Sequence, residues 1–499
     1  MNHMHTRRTR RRSLARLLAV GAIGLPLAAC NTDKLLDVSD PAVIPPEGVG
    51  TPEAVASLFY GAVRDFNVAY SGAGDDAFII SSGLLADELY NGDTFTTRIT
   101  ADQRNLQAPI FGNVSDAAYS RLHRARFAAR RAAYAVKTIT PSDVGTFARL
   151  RAIEAYTYIT LAEGWCGNVP FSTVPDSGAI DPANITYKPG LTTSQMLDTA
   201  VARFNEALTS NPNDNLAKIG KARALLGLNQ PAAAAAAVTG VPTGYVYLIE
   251  HSPNAGSQNN PIYSLISNGR YGVSNLEGAT TTAGASATVV AYRPDSSATP
   301  ANTPTSRPSA EGLPFRGLQD PRLPWTGPFA AFTSSFRKYF DNNNPSYEAD
   351  IPLASGVEAR LIEAEAQMRA GNFAGPGGTL SILNTLRASA ASLITALHPQ
   401  QVQVFQANLP MAALVDPGTP TAQEDLFFRE RALWTYNTGQ RLGTLRRIVR
   451  QYGRASNTVF PSGLFYRGGT YGNDVNYPVR FDENNNPNYN PALCSTTTA

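Results

Sequence analysis

The stretch from Ser194 to Gly240 constrains the fold most. Ala200, Phe204, Ala207 and Leu208 recur at helical spacing, and Pro212 ends the run. Asn213-Asp214 opens a second helix, with Ala217, Ala222, Leu225 and Leu226 on its inward side. Pro231 opens a third, built almost wholly of alanine. Small residues at facing positions let helices approach closely, so such a helical hairpin stacks on another of its kind. A chain organised around this unit is expected to be mainly α, with little β.

Other helices follow from the same periodicity. Thr51-Pro52-Glu53 is a capped start, and Leu58, Phe59, Ala62, Val63 and Phe66 repeat behind it. A second helix is expected from Ile79 to Tyr90. A third covers Ala117 to Lys137, with Leu122, Ala125, Ala129 and Ala133 inside and Arg121, Arg124, Arg126, Arg130 and Arg131 on the wetted face. Ser142-Asp143 caps a fourth that runs to Trp165. Glu358 to Ser389 reads as another hairpin. Residues 241–352 differ in composition, being rich in Ser, Thr, Pro, Gly and Asn. Irregular loops, short strands and a few short helices are expected there, including strand within Gly278 to Ala298. The resulting division is 1–29, 30–50, 51–240, 241–352, 353–455 and a loop-rich tail, 456–499.

Residues 1–29 are read as a removed export signal. Arg7, Arg8, Arg10, Arg11, Arg12 and Arg16 precede an apolar run, Leu14 to Leu27, interrupted by Gly21, Gly24 and Pro26. That run is too short to span a bilayer, which takes roughly 20 apolar residues. Leu27-Ala28-Ala29-Cys30 resembles the lipobox of bacterial lipoproteins, which implies a lipid on Cys30 as the mature N-terminus and a tether over 30–50. The signal carries six arginines and no acid, so its loss takes the formal charge from +3 to −3. No basic face then invites nucleic acid. Cys166 and Cys494 are left, either as a disulfide or as two free thiols. Export to an oxidising compartment favours the pair.

Four pieces, in order, resemble the SusD/RagB-like outer-membrane lipoproteins. The first is Cys30 followed by Asp33-Lys34-Leu35-Leu36. The second is Arg151-Ala152-Ile153-Glu154-Ala155-Tyr156, leading to Trp165-Cys166-Gly167-Asn168-Val169-Pro170-Phe171. The third is Ala364, Gly371-Asn372-Phe373, Leu383-Asn384 and Arg387. The fourth is Phe428-Arg429-Glu430-Arg431, with Gly439, Arg441, Leu445, Arg446 and Arg447. The Ser194–Gly240 unit is similar to a tetratricopeptide repeat. Trp434, Thr438 and Thr444 stand where the family commonly has acids, so Arg441 is expected to lack its usual partner. The resemblance implies a SusD-like helical scaffold with loop-rich insertions. It also implies a surface lid on a SusC-like TonB-dependent transporter, capturing glycans or peptides without a cofactor.

Residue chemistry favours binding over catalysis. His123, His251 and His398 are scattered and no Cys-x-x-Cys occurs, so zinc has no ligand pattern. No phosphate-cradling Gly-rich loop or nucleophile elbow is present. Asp75-Asp76 is read as a solvated loop. The alternative to a binding lipoprotein is an extracellular glycan or peptide hydrolase, which needs two carboxylates across a cleft. Sugars offer flat CH faces to aromatic rings, which makes Trp325, Tyr263, Tyr271, Tyr292, Tyr339, Tyr70, Tyr90 and Phe95 the candidate ligand residues, with Asn268, Arg270 and Arg316 nearby in sequence to meet hydroxyls. Trp325, between Pro324 and Gly327, is expected on a turn. Mass spectrometry of the mature protein should find acyl groups on Cys30 and nothing before it; an unacylated N-terminus elsewhere would refute the lipobox reading.

Overall fold

The computed structural model describes residues 51–499 except 75, 107–111, 178–180, 276–279, 284–287, 292–312, 334–335, 403–408 and 464. Cys30, Asp75 and Tyr292 therefore lie outside the described residues. The described chain holds fourteen α-helices and ten short strands. The first half contains α1 (Pro52–Ser71), α2 (Phe78–Leu85), α3 (Thr96–Asp102), α4 (Asp116–Ile139), α5 (Val144–Gly164), α6 (Thr193–Ser210), α7 (Asn215–Gly227) and α8 (Pro231–Ala237). It also carries β1 (Leu89–Asn91), β2 (Val169–Pro170) and β3 (Gly190–Leu191). The 241–352 region supplies β4 (Val246–Ile249), α9 (Pro261–Ser267), β5 (Tyr271–Val273), β6 (Thr280–Ala283), β7 (Thr288–Ala291), β8 (Trp325–Ala330) and β9 (Arg337–Asp341). The rest holds β10 (Ile351–Ser355), α10 (Gly356–Arg369), α11 (Thr379–Ala388), α12 (Ala390–Leu397), α13 (Pro420–Trp434) and α14 (Arg441–Tyr452). No single described helix is long and apolar enough to cross a membrane.

The helices form one continuous stack. α1 packs on α4, α4 on α5, and each helix from α5 to α8 packs on the next. Ala118, Ala125, Ala129, Ala132 and Ala133 of α4 are fully buried, which lets α1 and α5 close on either side. Local chemistry fixes the ends. The Thr51 hydroxyl caps α1, Asp143 caps α5, Thr192 and Gln195 form a reciprocal capping box at α6, and Asp214 caps α7. α8 then packs on α10, so the chain leaves the stack and returns at the same place. Antiparallel pairing of β4 with β10 closes the base of that excursion.

Helix α14 ties the stack together through three buried arginines. Arg441 makes a two-pronged pair with Asp87, at 2.6 and 2.7 Å. Arg446 donates to the carbonyls of Ala162, Glu163 and Trp165 at 2.8, 2.9 and 3.0 Å, satisfying the C-terminus of α5. Arg447 grips Glu365 of α10 at 2.7 and 2.9 Å. Arg441 thus has a partner, contrary to expectation. The missing acid of its own motif is replaced by one that lies far away in sequence.

Asp87 also explains why the second helix is shorter than its periodicity suggests. α2 ends at Leu85, and the chain extends into β1, which pairs with β5. A helix continuing to Tyr90 would forfeit the β1–β5 ladder and the placement of Asp87 beside Arg441. Two other expectations are corrected by burial. Arg126 is buried, stacked over Phe171 and donating to the Ser172 carbonyl, so it is not on a wetted face. Asp76 is buried and paired with Arg98 rather than solvated.

The tail is irregular but well anchored. Val475, Tyr477 and Val479 are buried, and the Tyr477 hydroxyl donates to the Ser81 carbonyl. Tyr477 also exchanges backbone hydrogen bonds with Gly164 and Cys166 at 2.9 Å each. Beside this contact Cys166 and Cys494 are joined in a disulfide, with Cα atoms 5.3 Å apart. In the chain-entropy model a loop closed over a sequence separation of 328 contributes about 6 kcal/mol at most. Reduction, or Cys494→Ser, should lower stability by a sizeable part of that amount and speed proteolysis of the tail. Two titratable thiols in the unreduced, denatured chain would contradict the bridge.

Candidate functional site

Three backbone segments cross beneath an exposed aromatic face. The Gly92 N–H donates to the Arg270 carbonyl at 2.8 Å, and its carbonyl accepts from Thr333 at 3.0 Å. The Phe332 N–H donates to the Gly269 carbonyl at 2.9 Å. Glycine is required at this crossing. A Cβ on Gly92 would lie 2.9 Å from the Gly269 oxygen, and one on Gly269, whose φ is +74°, would lie 2.5 Å from the Phe332 nitrogen. The clasp sets Phe95, Arg270 and Phe332 side by side, although they are distant in sequence.

Phe95 and Phe332 are 54% and 52% exposed. Exposed rings gathered side by side, rather than scattered singly, are what marks an interaction surface. The Arg270 guanidinium lies 3.7 Å from the Phe332 ring centre and 5.2 Å from that of Phe95. Arg98 also lies over the Phe95 ring, at 5.1 Å. Buried Asp93 anchors both cations, pairing with Arg270 at 2.5 Å and also with Arg98. Burial by itself would raise the Asp93 carboxyl, but the Thr94 N–H and the two guanidinia outweigh it and hold it below the usual range. The platform is therefore rigid, with donors at its centre and flat apolar surface on either side.

The hairpin β8–β9 extends this face. Phe329, 48% exposed, meets Phe340 edge-on at 5.6 Å, and Phe340 lies 6.4 Å from Tyr263. Tyr263 in turn meets Tyr347 at 4.9 Å. Tyr263 is the expected ligand residue that the structure leaves half-buried on this ridge.

Several other expected ligand residues are structural. Tyr70 is fully buried and donates to the Thr438 carbonyl at 2.6 Å; Tyr271 is fully buried and donates to Asp76 at 2.9 Å. Tyr90 and Tyr339 are buried in a second hydrophobic cluster under the β8–β9 hairpin. None of the four can present a ring face to a ligand. Trp325 begins strand β8 rather than sitting on a turn. Its indole N–H donates to the Arg316 carbonyl at 3.1 Å and its ring packs edge-on against Tyr339, so it fastens the hairpin to the core. Sequence reasoning passed over Phe329 and Phe332. Their signal was available in Pro328-Phe329-Ala330-Ala331-Phe332, where large rings alternate with small residues beside a proline.

Buried acids hold the ends of two strands that lead to this face, Glu88 just before β1 and Asp341 closing β9. The Glu88 carboxyl accepts the Asn437 N–H at 2.9 Å, and the Glu88 main-chain carbonyl accepts from Tyr436 at 2.6 Å. Asp341 accepts from the Asn343 N–H at 2.9 Å and from the amides of Asn344 and Asn437 at 2.8 and 2.9 Å. Among the described residues no group of three His, Cys, Asp or Glu side chains is placed to hold a metal ion.

No family model matches this sequence, and no curated protein matches it either. The fold does match solved structures. A SusD superfamily protein from Bacteroides vulgatus is similar at TM-score 0.54 and 14% identity, covering 88% of this chain and 99% of that one. A SusD-like carbohydrate-binding protein from Bacteroides fragilis is similar at TM-score 0.53 and 14% identity, covering 88% and 99%. A laminarin-binding SusD-like protein is similar at 0.53 and 14%, covering 88% and 98%. The chain has the SusD-like fold.

Burial pushes the Glu88 carboxyl from 4.5 up to about 8; the Asn437 N–H opposes this and neighbouring Asp87 adds to it. The folded protein then keeps a proton that the unfolded chain loses. The stabilisation is complete below pH 4.5 and is lost as pH rises through about 8, at up to about 1.4 kcal/mol per pH unit. Glu88→Gln keeps the acceptor for Asn437 and removes the titration. Denaturation curves should show its stability relative to wild type rising across that window; parallel pH profiles would show that Glu88 does not titrate there.

Proposed function

We propose that the protein is a surface-exposed outer-membrane lipoprotein that binds oligomeric nutrients, glycans foremost, and passes them to a SusC-like TonB-dependent transporter. The observation that carries the binding role is the Phe95–Arg270–Phe332 platform, which sets exposed rings beside fixed donors. Pyranose rings stack their CH faces on such aromatics while guanidinium N–H groups meet the hydroxyls. Neighbours of the same fold are described as carbohydrate-binding and laminarin-binding, which supports the same ligand class here. The transporter partnership and the membrane placement rest on the family resemblance and on the Cys30 lipobox.

The hydrolase alternative has less support. Asp76 and Asp93, the carboxylates beside the platform, are both held by arginines. Asp93, held below the usual carboxylate range, is a poor general acid.

Titration with laminari-oligosaccharides and a wider glycan panel tests the proposal. Phe332→Ala and Phe95→Ala should each weaken binding about ten-fold, in line with about 1–1.5 kcal/mol for a lost stacking contact, with little change in Tm. Trp325→Ala should instead lower Tm. Cleavage of the oligosaccharides, or binding untouched by both phenylalanine variants, would overturn the assignment.

A further inference from the structure

The aromatic platform leaves one guanidinium edge open. Arg270 donates to Asp93 through Nη1, at 2.5 Å. Its Nε and Nη2 make no hydrogen bond among the described residues, and neither atom is buried. Those two nitrogens form one edge of the planar guanidinium, with N–H groups that point the same way. The Asp93 pair and the stack on Phe332, 3.7 Å from the ring centre, hold the plane in position. Arg98 has no such edge to offer, because Asp76 engages its Nε and Nη2 and Asp93 engages its Nη1.

Elsewhere in the chain this same edge meets a carboxylate. Arg441 grips Asp87 through Nε and Nη2 at 2.6 and 2.7 Å, and Arg124 grips Asp65 at 2.9 and 2.8 Å. Arg223 holds Glu163 in the same way. The two oxygens of a carboxylate fit the spacing of the two N–H groups. A sugar hydroxyl also accepts such an N–H, but a bond to an ionised acceptor is roughly twice as strong as a neutral one.

The charge around that edge has the same sign. Asp76, Asp93 and Asp102 lie under this face, and all three are buried. Asp93 is turned to Arg98 and Arg270, Asp76 to Arg98 and Tyr271, and Asp102 to the Asn91 N–H and Tyr466. Two further cations meet no carboxylate among the described residues. Arg467 donates to the carbonyls of Asn91 and Asp93 at 2.7 Å each and lies over the Phe336 ring. Lys338 donates to the Ser267 carbonyl at 2.6 Å and lies over Phe340 of the ridge. Arg270, Arg467 and Lys338 are only half-buried, so cations rather than acids face water here. Exposed Glu348 follows Tyr347, at the opposite end of the ridge.

We propose that the platform selects acidic glycans, seating the carboxylate of a uronic acid on the Nε–Nη2 edge of Arg270 while the sugar ring lies against the exposed phenylalanines beside it. Arg467 and Lys338 add the field that favours an anionic chain on this face. This rests on the glycan-binding reading and names the ligand class within it.

The test titrates the full chain with tetrasaccharides of galacturonate, glucuronate and mannuronate, each against its methyl ester, with laminaritetraose as the neutral reference. At least one acid should bind about ten-fold or more tightly than its ester, and raised salt should shrink that ratio. Arg270→Lys keeps the charge and loses the fork, so the ratio should fall to about three-fold or less. Phe332→Ala should weaken acid and ester together. If Arg270→Lys fails to fold, the acid-to-ester ratio and its salt dependence decide on the unaltered chain. Acids bound no more tightly than their esters, with laminaritetraose still bound and still weakened by Phe332→Ala, would overturn the proposal and leave glycan binding standing. Failure of every oligosaccharide to bind would overturn both. A ratio unchanged in Arg270→Lys, or sulfated laminaritetraose bound more tightly than every uronate, would overturn the assignment of a carboxylate to Arg270.

Discussion

The structure depends on the buried arginines of α14. Arg441, Arg446 and Arg447 reach into three different parts of the chain and satisfy, respectively, a carboxylate beyond α2, the carbonyls ending α5, and a carboxylate within α10. Each cation has been taken out of water, a cost that only good geometry offsets. Burial alone would lower all three guanidinium pKa values; Asp87 and Glu365 reverse this for Arg441 and Arg447, but the carbonyl cluster around Arg446 does not, and its pKa falls to about 9. The contacts are therefore conditional on one another. If α14 moved, three sets of buried polar groups would lose their partners together, at several kcal/mol for each broken pair. A helix loaded with arginine is here an interior strut.

That strut has consequences for the binding face. Arg441 fixes Asp87, and the residues that follow enter β1 and reach the glycine clasp under Phe95 and Phe332. The chain from the core to the platform is short, and each step is hydrogen-bonded. Exposed rings can then be held without a regular element of their own. Tyr466 and Arg467 from the tail bond to the Asn91 carbonyl, each at 2.7 Å, so the C-terminal segment supports the same face.

Much of the helical stack was legible in the sequence. Its caps are local chemistry, and its alanines keep helical spacing, so periodicity locates α1, α4, α5, α6 and α7 to within a few residues. Legibility failed where long-range partners overrode local pattern. Ile79 to Tyr90 has helical periodicity, yet Asp87 and Leu89–Asn91 are claimed by Arg441 and β5. Arg126 looks like a surface residue on a helical wheel, and only the return of Phe171 and Ser172 over it makes it interior. For the site, residue type was a poor guide. Tyr70, Tyr90, Tyr271 and Tyr339 share the chemistry of a sugar platform, but the fold uses them as core.

The sequence by itself determined the class of scaffold, because helical periodicity, caps and small-residue packing are set within a few turns of chain. It also determined that Cys166 and Cys494 were the cysteines free to pair beyond Cys30. Only the tertiary structure decided which rings stay in water and which acids meet which arginines. Those outcomes depend on residues separated by hundreds of positions. Exposure and charge pairing are properties of the assembled surface and interior, and no local pattern encodes them.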